Sequence, residues 1–335
     1  MLKYTLLLNY PFFQDERKKI TLELMIEKVI MFAIIIAISF AGAKAGWLGE
    51  AVRMGLSRFI IKITAPLMIF TSIAGLQFDP ALVRESVTIV IISIIAVSVL
   101  LMLGALYVKL ARLDKKTRGV QVALMSFGNV AFIAYPLLEA VFGPMGVFYG
   151  AFYHLINDIG FWSIGVAKID YKGKKTKKER ILSIFSSNFL AIVFGLIFFS
   201  LQIKIPSFIF DTMKGLGGTT VYLSLSFIGV AMSEVDIRKT YKKLSIYVIV
   251  LVKMIIVPVI AAFVLTRVHS FGLSYEAVCA AVLQISMPCM TLVSIMANEV
   301  DGNYRYAAEA VFASTIASLF VMPAVLYIID YFIKI

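Results

Sequence analysis

Apolar residues run along this chain in blocks of about 20, with most charged residues in the gaps between them. A block of that length crosses the roughly 30 Å hydrocarbon core of a bilayer as a helix. The blocks fall at Leu22–Ala43, Gly55–Leu76, Ser86–Leu110, Arg118–Ala140 and Met145–Ala167. After a basic linker they resume at Leu182–Leu201, Lys214–Ser233, Leu244–Leu265, Tyr275–Ala297 and Tyr306–Phe332. The pattern predicts an all-α polytopic membrane protein of ten transmembrane helices. Its parts are an N-terminal extracytoplasmic or interfacial segment (1–21), a first five-helix repeat (22–167), a basic cytoplasmic linker (168–181) and a second repeat (182–335). Gly215, Gly217 and Gly218 crowd the start of the seventh block and make it the weakest of the ten.

Two blocks carry a helix breaker where a membrane helix tolerates it least. Pro136 and Pro288 each fall in the fourth block of their half. A proline inside the hydrocarbon frees a carbonyl that lipid cannot satisfy, so protein or a polar cavity must cover it. Two halves of five spans insert in opposite orientations, and paired broken helices in inverted repeats point to a transporter's binding site near mid-membrane. Both helices are expected to lose regular hydrogen bonding at these prolines and to cross there.

Composition agrees: 61% of the 335 residues are hydrophobic and the mean hydropathy is +0.93. The net charge is +12, concentrated in three odd-to-even connections: Lys109–Arg118, Lys168–Arg180 and Arg238–Lys243. The positive-inside rule puts these in the cytoplasm of a cell-membrane protein and both termini outside, although Arg17, Lys18 and Lys19 dissent. Short basic loops are not a nucleic-acid face. Lys172–Arg180 could touch anionic lipid, but orienting the chain is the simpler role. The first residues lack the apolar core and cleavage site of a signal peptide. Cys279 and Cys289 lie about 15 Å apart along one helix, too far for a disulfide. No Cys/His cluster supports a metal, and no cofactor is implied.

Around Phe127-Gly128-Asn129 and Tyr135-Pro136-Leu137-Leu138-Glu139-Ala140-Val141-Phe142-Gly143, the chain resembles the auxin efflux carrier family of transporters. The likeness continues at Pro66, Tyr153, Asn157, Trp162, Gly165, Met287-Pro288 and Ala297-Asn298-Glu299. It implies a five-plus-five inverted repeat with crossed, broken helices four and nine, similar to sodium/proton antiporters and bile-acid symporters. It also implies a small organic acid anion as substrate, moved by alternating access, with coupling to protons or sodium and homodimer formation left open. Thr219–Ser224 of helix seven departs from the family, which usually places a proline near a serine there.

Counting along each span places Asn129, His154, Asn157, Asp158, Lys253, Gln284 and Ser286 at mid-bilayer depth. Polar and ionisable groups there normally face a cavity or a partner. The substrate-binding candidates are Ser126, Asn129, Pro136, Asn157, Lys253, Gln284, Ser286 and Pro288. Asn129 has two readings, a substrate contact or a clasp between helices. Ser126 is weaker, since serines in such helices bond back to their own carbonyls. Lys253 either attracts the anion or pairs with Asp158, and such a pair could equally be structural. His154 and Asp158 share a helix face four residues apart and are the proton-coupling candidates. Glu139, Glu299 and Glu309 sit near helix ends, where water solvates a carboxylate, and Trp47 and Trp162 read as interfacial belt residues.

An intramembrane enzyme or a non-transporting sensor are the alternatives. An enzyme needs a positioned acid/base pair or nucleophile, yet the chain has two histidines and no His-Glu-x-x-His. No cytoplasmic domain is appended to relay a signal, and no Gly-x-x-x-x-Gly-Lys-Ser/Thr loop supports ATP coupling.

Overall fold

The computed structural model describes residues 11–234, 243–267 and 272–334, with side chains from Ile26. Met1–Tyr10 and the basic residues Arg238, Lys239 and Lys242 lie outside the described residues. Helices and their connections make up the described chain, with one isolated antiparallel bridge and no strand. The first half contains α1 (Pro11–Lys44), α2 (Glu50–Phe59), α3 (Ala65–Ala74), α4 (Pro80–Ala111), α5 (Lys115–Ser126), α6 (Tyr135–Gly160) and α7 (Val166–Ile169). After the linker come α8 (Lys177–Ile184), α9 (Ser187–Leu201), α10 (Ser207–Gly218), α11 (Thr220–Ser233), α12 (Leu244–Ile249) and α13 (Val257–Arg267). Last are α14 (Tyr275–Ile285), α15 (Thr291–Glu299) and α16 (Tyr304–Lys334). Wider π-helical turns at Ile60–Thr64, Val130–Ala134, Phe161–Gly165 and Val250–Ile256 join neighbouring pieces.

The helices start where the sequence offers a cap. Asp114 accepts the N–H groups of Lys116 and Thr117, Thr176 and Glu179 close a capping box, and Ser186 and Ser274 cap α9 and α14. Among the described residues seven stretches are long and apolar enough to cross a membrane, and α8 with α9, bent by 45°, would make an eighth. The seventh block, doubtful from its glycines, forms a continuous apolar stretch at Ser207–Ser233.

One of the seven stretches runs 40 residues from Val130 to Ile169. Drawn as a straight helix it would place Tyr135 and His154 about 28 Å apart. Instead the Tyr135 hydroxyl lies 2.7 Å from His154 Nδ1. The chain folds back at Gly143, whose φ of 60° suits a residue without a Cβ, and Pro144 starts the return.

Two groups of helices result. Helix α1 packs on α11 and α3 packs on α9 and α10, forming one group. Helices α4, α5, α6 and α14 pack together, and α16 packs on α13 and α15, forming the other. Aliphatic and aromatic side chains fill both groups, while Ile30, Ile34, Ile38, Ile91 and Ile95 face outward, as a lipid-facing surface requires.

The linker is folded onto the second group rather than free. Asp301 takes Lys172 at 3.0 Å and Lys174 at 2.7 Å, and Glu299 takes Lys175 at 3.0 Å. These lysines, Lys174 first, hold the Asp301 carboxyl down at about 2. Asp170 accepts the backbone N–H groups of Lys174 and Lys175.

Candidate functional site

Helix α5 ends at Ser126 and helical structure resumes at Val130; α14 ends at Ile285 and α15 starts at Thr291. The two gaps meet as a short antiparallel pair with Gly128 opposite Cys289. Asn129 N–H donates to the Pro288 carbonyl at 2.9 Å, and Met290 N–H donates to the Phe127 carbonyl at 3.1 Å. Each break thus satisfies backbone groups of the other, which hydrocarbon cannot do. A Cβ on Gly128 would come within 3.0 Å of the Met287 Cβ, so the crossing requires the missing side chain.

Side chains complete the pairing. Asn157 Oδ1 accepts Gly128 N–H at 3.1 Å, and Ser314 Oγ accepts Cys289 N–H at 3.0 Å. Lys253 Nζ donates to the Leu124 carbonyl at 3.1 Å and to the Phe127 carbonyl. Those carbonyls form the negative end of α5, where a cation is favoured.

Pro288 lies in the second gap, but Pro136 does not mark the first. The chain opens at Phe127–Asn129, and Pro136 is the second residue of α6. The preceding π-helical turn moves the Tyr135 N–H onto the Val130 carbonyl, and this wider turn takes the ring without a gap. The expected break at Pro136 is therefore corrected to Gly128.

Beside the crossover is a chamber of about 330 Å³ on the side of the basic linker. Asn129–Phe132 from the first break, Met290 and Leu292 from the second, and His154, Asn157, Asp158 and Trp162 line it. Ile61 and Lys62 close it from the first group, and Leu182, Phe185 and Asn188 from the linker side. His154 Nε2 sits 3.1 Å from Asp158 Oδ2, and its Nδ1 faces the buried Tyr135 hydroxyl. Asp158 Oδ1 is buried with no hydrogen-bond partner.

The candidates divide accordingly. Asn129, Asn157, His154 and Asp158 come together on the chamber wall. Asn129 also donates to Thr291 Oγ1 at 3.0 Å, so it is both wall and clasp. Ser126 and Ser286 bond back to the carbonyls of Val122 and Leu283, and Gln284 donates to the Gly150 carbonyl. Those three residues, with Pro136, Pro288 and Lys253, are buried but do not line the chamber. The expected pairing of Lys253 with Asp158 is not made, because the freed carbonyls of α5 claim the ammonium. Glu309 pairs with Lys243 and is buried, so bulk water does not solvate it. Trp162 faces the chamber rather than serving only as a belt residue.

Lys62 is the residue that span counting passed over. It lies twelve residues into the stretch that begins at Glu50, about 18 Å along it, where an unpaired charge needs water. Among the described residues no ion pair or hydrogen bond is found for it. Its signal was present: Lys62 is the single charged residue between Arg58 and Asp79, inside an otherwise apolar stretch.

Crossed helix breaks beside a chamber lined by both polar and apolar side chains are the arrangement of a membrane transporter's binding site. Residues 24–326 match the membrane transport protein family, and the chain belongs to it, the auxin efflux carrier-like family that the Asn129–Gly143 block resembles. A protein named an uncharacterized transporter from Methanothermobacter thermautotrophicus is 26% identical over 299 residues, 89% of this chain and 96% of its own. A second, also named an uncharacterized transporter, from Methanocaldococcus jannaschii, is 23% identical over 305 residues, 88% of this chain and 95% of its own.

Proposed function

We propose that this protein is a secondary transporter that carries a small organic acid anion by alternating access, with the crossover chamber as its substrate site. The observation that carries this reading is Lys62, an unpaired cation, in one chamber with the amide of Asn129. The helical segments starting at Val130 and Thr291 also begin at this wall, and helix N-termini favour a carboxylate. Val130, Ala131, Phe132, Met290 and Leu292 would cover the substrate's carbon chain.

The ten-span, five-plus-five reading goes with this function. Helices α5 and α6 up to Gly143 make the fourth span, Pro144 to α7 the fifth, and α14 with α15 the ninth. The basic linker then faces the cytoplasm of a cell-membrane protein, both termini lie outside, and the chamber opens inward. In transport, the group built on α1–α3 and α9–α11 moves against the group that contains the crossover. His154 and Asp158 are the coupling pair, an imidazole and a carboxylate 3.1 Å apart on the wall of the same chamber as Lys62.

Counterflow in proteoliposomes tests the function. Carboxylates that raise the melting temperature of the purified protein are chosen first, because a selective binder stabilises the folded state by an amount that grows with the logarithm of its concentration over its dissociation constant. Labelled carboxylate is expected to accumulate only when its unlabelled form is inside. No exchange with any stabilising carboxylate would overturn the reading.

A further inference from the structure

A second, smaller chamber of about 130 Å³ lies at the other end of the interface between the two groups. Met68, Thr71, Ser72, Gly75 and Leu76 of the α3 region, Phe210, Lys214 and Gly218 of α10, and Glu139 and Pro144 line it. Lys62 and Ser72, one at each chamber, are about 15 Å apart along their helix. Between the chambers Thr64 and Ala65 on one side and Ile133–Leu138 on the other are buried, so the two do not communicate.

The charges of the small chamber repeat those of the large one. In the large chamber the first group supplies Lys62 and the crossover group supplies Asp158, whose Oδ1 is buried and unpartnered. In the small chamber the first group supplies Lys214 and the crossover group supplies Glu139, whose Oε2 is buried and unpartnered. No Glu139–Lys214 ion pair forms within 4.0 Å. Glu139, expected in bulk water from its place near a helix end, is instead a half-buried carboxylate facing a lysine across the interface that alternating access would open.

We propose that the small chamber is a second anion site, the outer port of the transport path, with Lys214 as its receptor and Glu139 as a tethered competitor. A small dicarboxylate entering from outside replaces the Glu139 carboxylate in the field of Lys214, which relieves the attraction holding the two groups together on that side. The role in transport rests on the function proposed above; the site itself does not.

The experiment reads the site without flux. Ser72→Cys places a thiol on the chamber wall, and the native Cys279 and Cys289 are buried and serve as the silent background. The modification rates by an anionic and a cationic methanethiosulfonate are compared in detergent, with malonate as the probe ligand. Glu139→Gln in this background is expected to raise the anionic-to-cationic ratio at least tenfold. It should also make malonate protect the thiol saturably, at several-fold lower concentration than with Glu139 present. Adding Lys214→Gln should abolish protection. Thr71→Cys supplies a second reporter if Ser72→Cys does not fold. A ratio that moves without saturable protection is charge acting at a distance and overturns the site, as does protection that survives loss of Lys214. Either failure leaves carboxylate counterflow standing, and failed counterflow leaves this result standing.

Discussion

The two helix breaks have the same backbone plan and different chemistry. At each, the central N–H is taken by a side chain from a later helix, Asn157 for Gly128 and Ser314 for Cys289, and the outer peptide groups pair across the crossing. The first break carries in addition a polar wall residue, Asn129, and a cation, Lys253, on its open carbonyls. The second presents Met290 and Leu292 to the chamber. Backbone satisfaction is thus a requirement on both breaks, because the bilayer penalises any break alike. Recognition is not: of the two breaks only the first adds a polar side chain, Asn129, to the chamber wall.

Substitutions that treat the two breaks alike should expose this asymmetry. The largest effect is expected at Asn129. Asn129→Ala should abolish specific uptake with normal expression, whereas Met290→Ala, on the chamber wall of the second break, should keep uptake within a few-fold. Normal transport by Asn129→Ala would reassign the residue to the clasp alone.

Lys253→Met comes next, and it strikes folding rather than recognition. It leaves the Leu124 carbonyl without its side-chain donor, at about 1–3 kcal/mol for a buried group, while the Phe127 carbonyl keeps the Met290 N–H. A melting temperature lowered by several degrees is expected, with the affinity of the protein that remains folded unchanged. A selective loss of affinity instead would return Lys253 to the substrate.

Asn157→Ala and Ser314→Ala sharpen the shared part of the comparison. Each uncovers one buried N–H, so each should destabilise by a similar amount, about 1–3 kcal/mol. Unfolding of the purified proteins checks this; unequal losses would mean that the breaks differ in backbone support as well. Asp158→Asn should then leave substrate binding intact and remove any response of flux to a proton gradient at fixed membrane potential. Wild-type flux that ignores the gradient would make the protein a potential-driven uniporter, for which an inside-negative potential contributes about 2.3 kcal/mol per charge per 100 mV.

The smallest effect belongs to the linker, far from both breaks. The Asp301 carboxyl, held at about 2, keeps its contribution above the usual aspartate range and loses it only as pH falls through that value. Hydrogen exchange in residues 168–181 should therefore be steady from pH 8 to pH 4 after correction for intrinsic rates. Asp301→Asn should speed it without changing flux.

Much of this was legible in the linear chain because a bilayer reads sequence nearly one residue at a time. Apolar run length set the long helices, and counting along the spans pointed to Asn129, His154, Asn157 and Asp158. Their gathering at one chamber was not legible, since Lys253, Gln284 and Ser286, counted to the same depth, do not line it. The location of the first break was not legible from Pro136, because a π-helical turn can absorb a proline while a Gly-Asn pair opens the chain more freely. Nor could counting along a helix say which acceptor Lys253 would meet. The carbonyls of Leu124 and Phe127 are more remote in sequence from Lys253 than Asp158 is, and only the crossing brings them to the ammonium. Lys62 and Glu139 show the same division. The sequence places each within a helix, but whether its charge meets lipid, water or a partner depends on the neighbours that packing supplies. By itself, then, the chain determined its long apolar helices and its family, since these follow from local transfer free energies and local motifs. The tertiary structure decided which breaks cross, which carbonyls a lysine must cap and which charges share a chamber, since those depend on contacts between segments far apart in the chain, 162 residues for Asn129–Thr291 and 129 for Leu124–Lys253.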